Sequence, residues 1–62
     1  MFNVEDHDSI VLVRPLTDDV RSWLERYTLY PETIWFGGAL VVEPRYVAPL
    51  VDALIEEGYA MQ

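Results

Sequence analysis

Ser9-Ile10-Val11-Leu12-Val13-Arg14, followed by Pro15, is the stretch on which the fold turns. Its continuous run of aliphatic, mostly β-branched side chains reads as a strand. A strand with one face in water alternates apolar and polar residues, and this one does not. Both of its faces therefore call for cover. Pro15 cannot donate to a ladder and marks the strand's end. Upstream, Glu5, Asp6 and Asp8 crowd together and repel, so residues 1–8 read as an acidic N-terminal tail. Residues 9–62 then read as a single α+β domain.

Downstream, Thr17 is a good N-cap, and Asp18 and Asp19 sit in a first turn where the helix dipole favours negative charge. Val20, Trp23, Leu24 and Tyr27 fall on one apolar stripe, with Arg21, Ser22, Glu25 and Arg26 on the wet side. The spacing predicts a helix over Asp18–Tyr27, with Arg21 and Glu25 able to pair at i, i+4. Thr28 to Thr33 is a connection in which Pro31 pushes Tyr30 toward extended geometry. Thr33 to Phe36 and Ala39 to Glu43 are β-rich runs separated by Gly37-Gly38, which predicts a hairpin with a primed turn. The alternative is one long strand with a glycine bulge.

Val47, Leu50, Val51, Leu54 and Ile55 repeat at helical spacing. Pro44 suits a first helical position, whereas Pro49 breaks the pattern. Either the helix begins near Ala48 with Pro49 at its first position, or a short turn from Pro44 is kinked at Pro49. Gly58 is the C-terminal stop. Glu56 and Glu57 stand at the negative end of the dipole, and Asp52 repels Glu56 at i, i+4, so these acids do not serve the helix. The order βαββα predicts a three-stranded antiparallel sheet with two helices on one face, the strand order left open.

A chain of 62 residues buries only roughly 60% of the surface it exposes unfolded. It has no cysteine and a single histidine, so neither a disulfide nor a zinc site reinforces it. Two helices cover one face of the expected sheet. A patch of ~500 Å² on the other face, at ~25 cal/mol per Å², is worth about 12 kcal/mol before association costs. That rivals the stability of a whole domain. A homodimer, or docking on another protein, is therefore expected. The alternative is that the tail and the Thr28–Thr33 loop fold over that face.

The formal charge is −7, from 11 acids against 4 arginines, and lysine is absent. Direct binding to nucleic acid or to an anionic membrane is disfavoured, because no broad basic face can be built. The natural complement is a basic protein surface. The acidic start lacks the positive region of a signal peptide, and no apolar run approaches the ~20 residues of a membrane span. A cytoplasmic setting is the expectation.

No constellation points to catalysis, a metal or a cofactor. His7 and Ser9 have nothing to supply an oxyanion hole. Asp18-Asp19 and Glu56-Glu57 are paired carboxylates at helix ends without a deep pocket. Gly37-Gly38 is too short for a phosphate loop. The chain is not expected to be an enzyme. The residues expected to meet a partner are the acids Asp18, Asp19, Asp52, Glu56 and Glu57. The aromatic and arginine candidates are Tyr30, Trp35, Arg45 and Tyr46, with Trp23 and Tyr27 assigned to the core by their stripe.

The stretch from Trp35 through Glu43-Pro44-Arg45-Tyr46-Val47, with Leu50-Val51 and Glu57-Gly58, resembles a group of very small uncharacterised proteins of bacteriophages and plasmids of proteobacteria. The likeness covers about the second half of the chain. It implies a mobile-element setting, in which small acidic proteins act as inhibitors of host defence such as anti-CRISPR or antirestriction proteins. It assigns no role to any residue.

Overall fold

The computed structural model describes residues 1–27 and 34–62. In chain order the elements are β1 (Phe2–His7), β2 (Ile10–Pro15), α1 (Asp18–Tyr27), β3 (Trp35–Phe36), β4 (Ala39–Val42) and α2 (Pro44–Glu56). The sheet has four antiparallel strands in the order β1-β2-β4-β3, one more than the sequence predicts.

The added strand corrects the expectation of an acidic tail over residues 1–8. Phe2 and Val4 alternate with Asn3 and Glu5, and the whole of β1 pairs with β2, from Phe2 opposite Pro15 to His7 opposite Ile10. Asp8 and Ser9 form the connecting turn. Asp8 takes a φ of 63° and donates its N–H to Asp6 Oδ1 at 2.9 Å. Aspartate tolerates that left-handed conformation, and its neighbour's side chain holds it there. The crowding of acids that suggested a tail is relieved by alternation, which sends Glu5 and Asp6 to opposite faces. The far side of β1 is partly occupied. Phe2 N–H donates to Ala60 O at 3.1 Å and Gln62 N–H to Phe2 O at 2.8 Å. The terminal amine of Met1 also donates to Ala60 O.

The hairpin at Gly37-Gly38 is present, not the bulged strand. Both glycines have positive φ, 56° and 79°, as a primed turn needs. Trp35 faces Leu40 and Phe36 faces Ala39. Of the two readings of Pro49, the start near Ala48 is corrected and the start at Pro44 holds. Helix α2 starts at Pro44 after an extended Glu43, and it runs as one element with Pro49 inside it. Pro49 lies in the second turn, where it removes a single i→i−4 bond to Arg45 and leaves the rest of the ladder intact. Gly58 ends the helix at φ 95°. Tyr59 N–H donates to Leu54 O at 3.1 Å and Gly58 N–H to Ile55 O at 3.0 Å. These two bonds are the Schellman pattern.

Phe2, Val13, Leu40 and Val42 from the sheet meet Val20 and Leu24 of α1 and Leu50 and Leu54 of α2 in one core. Both helices therefore cover the same face, as predicted. On the opposite face the expected open apolar surface is present only in part. Leu12 is 5% and Ala39 0% exposed although neither belongs to that core. Arg14 lies beside both on this face. Its Nε donates to Glu5 Oε2 at 3.1 Å, and its Nη1 donates to Gly37 O at 2.6 Å. One extended side chain thus spans from Glu5 on β1 to the β3–β4 turn, across the face on which Ala39 and Leu12 lie. What stays exposed is a border of Ile10, Ile34 at 61% and Phe36 at 68%. Among the described residues no helix is long and apolar enough to cross a membrane.

Candidate functional site

Helix α1 places Trp23 and Tyr27 one turn apart, and their rings stack at 4.8 Å and 14°. The turn that closes α2 carries Tyr59, whose ring meets Trp23 edge-on at 6.5 Å and 73°. These contacts bring the second half of α1 beside the end of α2. Between them lies an open cleft of about 510 Å³, lined by Trp23, Arg26, Tyr27, Ala53, Glu56 and Glu57. One wall is aromatic and the other carries two carboxylates.

The structure divides the predicted site residues. Glu56 and Glu57 enter the cleft, and Asp52 stands one turn before Glu56 on the outer face of α2, exposed. Asp18 and Asp19 are exposed in the first turn of α1. The Thr17 hydroxyl, followed by the backbone N–H groups of Asp19 and Val20, holds the Asp19 carboxyl below its ordinary value. Arg45 and Tyr46 sit at the start of α2, about 15 Å along its axis from Glu56. There the Arg45 guanidinium lies 4.9 Å over the Tyr46 ring and its Nε is 3.1 Å from Glu43. Trp35 is half-buried against the core, with the Arg21 guanidinium 5.0 Å from its ring. Tyr30 lies outside the described residues.

Arg26, Trp23 and Tyr27 are the residues that the sequence did not point to. Trp23 does pack against the core, but Tyr27 is 46% exposed. An apolar stripe that outlasts the sheet it covers was the available signal: Tyr27 is the last residue of α1.

Charge is unevenly compensated. Arg14 pairs with Glu5, Arg21 with Glu25 and Arg45 with Glu43. Asp6, Asp8, Asp18, Asp19, Asp52, Glu56 and Glu57 have no basic partner among the described residues. Glu5 is held below its ordinary value by Arg14 and, second, by His7, whose Nε2 is 3.5 Å away. This draws His7 into a surface ion-pair group. Among the described residues no three metal-capable side chains gather. No family model, no curated protein and no solved structure matches this chain.

Proposed function

We propose that this chain is a non-catalytic protein-binding module that docks on a basic surface of another protein. The observation that supports it is the set of exposed carboxylates left without a cation at both helix ends. Such a surface gains most when it meets positive charge, and it steers a basic partner from a distance. The resemblance of the second half to phage and plasmid proteins supplies the setting. The partner is a host-defence protein whose basic surface normally meets nucleic acid, and the acids stand in for phosphates, in the manner of anti-CRISPR and antirestriction proteins. The encounter takes place in the cytoplasm of the bacterial host, without a cofactor.

The test is capture of the partner from host extract, followed by titration of the purified pair across salt. Between about 0.05 and 0.5 M salt the affinity is expected to fall at least tenfold, because screening shortens from roughly 14 to 4 Å. An affinity that hardly moves sinks the mimicry.

A second reading, a homodimer, rests on Ile10, Ile34 and Phe36, the apolar border of the uncovered sheet face. Light scattering across concentration decides it. A monomer at every concentration, with no change on Phe36→Ser, removes this reading.

A further inference from the structure

We infer that the cleft between α1 and α2 receives an arginine side chain of a protein partner, its guanidinium over the Trp23–Tyr27 rings and its charge against Glu56 and Glu57. This deepens the docking reading and rests on it. Four observations converge on one occupant. The stacked rings offer π surface at the cleft, and Tyr27 is nearly half exposed. Aromatic faces attract cations and favour the planar, weakly hydrated guanidinium over an ammonium. Glu56 and Glu57 line the same cleft and have no basic partner among the described residues. They also stand at the C-terminal end of α2, where the helix dipole adds to their negative potential.

Arg26 lines the cleft too, and it marks the sign of the occupant. It forms no ion pair with either glutamate within the described residues, so the two carboxylates outweigh it. A bound cation competes with Arg26. A bound anion needs it, and is repelled by Glu56, Glu57 and the helix end. Replacing Arg26 therefore moves the affinity in opposite directions for the two ligand classes.

The experiment is an NMR titration of the whole chain with an end-capped pentapeptide, one arginine flanked by glycines. The Trp23 indole N–H and the Tyr27 ring are followed. The arginine peptide is expected to shift both to saturation, the lysine peptide to bind at least about threefold more weakly, and the citrulline peptide at least about tenfold. The double variant Glu56→Gln with Glu57→Gln is expected to weaken the arginine peptide at least about fivefold, and Arg26→Gln to strengthen it. Dispersed spectra of these surface variants verify that they fold.

Equal binding of citrulline, shifts confined to the Asp18-Asp19 end, or weakening by Arg26→Gln each overturns the proposal. The two readings fail separately. Salt-dependent capture that the Glu56→Gln with Glu57→Gln variant leaves intact refutes the cleft and keeps the docking. Saturable arginine binding without a salt-dependent partner refutes the docking and keeps the cleft as an arginine site.

Discussion

One face of the four-stranded sheet lies beneath two amphipathic helices, and the other has no helix over it among the described residues, yet the central strands are buried on both. On the first face, closure comes from aliphatic packing: Val13, Leu40 and Val42 interlock with Leu24, Leu50 and Leu54. On the second, Leu12 and Ala39 are closed off beside Arg14, which is anchored at Glu5 and at Gly37 O. The difference shows how a short chain without a third layer hides a strand. A long side chain whose head finds partners at both sides of the sheet ties its outer strands together across that face. At the rim of that face Ile10, Ile34 and Phe36 remain exposed.

Three substitutions separate the two modes of closure. Leu54→Ala strikes the helix-covered face, where a large buried side chain leaves a cavity. It is expected to cost about 2–5 kcal/mol, enough to unfold most of a domain this small, as read from urea denaturation. Arg14→Ala strikes the other face and is expected to cost about 1–2 kcal/mol. The loss comes from uncovering Leu12 and Ala39 and from leaving Gly37 O without its charged donor. Arg14→Met retains the stem without the head and should recover roughly half of that loss. Equal stability of Arg14→Ala and the parent would show that the face closes without the arginine.

Gly38→Ala tests the anchor itself. A side chain at a φ of 79° strains the primed turn that holds the Gly37 carbonyl. A loss of about 1 kcal/mol is expected, and less of it should appear when Arg14 is already replaced, since the two sites then no longer share a contact.

The smallest effect is the pH dependence of the Glu5 pair. Arg14, and then His7, lower the folded-state value of Glu5 below the ordinary 4.5. A carboxylate lowered on folding stabilises above its unfolded value and loses that contribution as pH falls through the folded one. Glu5→Gln should therefore be less stable than the parent at neutral pH, with the gap closing below pH 4.5. A constant gap down to strong acid would place the role of Glu5 in packing rather than in charge.

Much of this was written in local sequence. The α1 stripe from Val20 to Tyr27, the Gly37-Gly38 turn and the Gly58 stop depend on i, i+4 spacing or on a backbone angle that glycine alone adopts easily. Those signals act within a few residues, and the structure repeats them. β1 is hard to read from sequence, because the alternation of Phe2 and Val4 is short and runs directly into the charge cluster Glu5-Asp6-His7-Asp8. The run through Pro49 stays open in the sequence for a different reason. A proline costs a helix one bond near its start, and burial of Leu50 and Leu54 against the core outweighs that loss.

The candidate cleft depended still more on tertiary structure. Glu56 and Glu57 stood out as acids on the wrong helix end, but nothing local to them names Trp23, Arg26 or Tyr27. Composition and periodicity determined an acidic α+β chain with both helices on one side of a sheet. Only packing decided that Arg14 links Glu5 to the Gly37 carbonyl across the other side, and that the end of α2 meets the aromatic stack of α1. Both depend on contacts between residues far apart in the chain, whose geometry no residue specifies by itself.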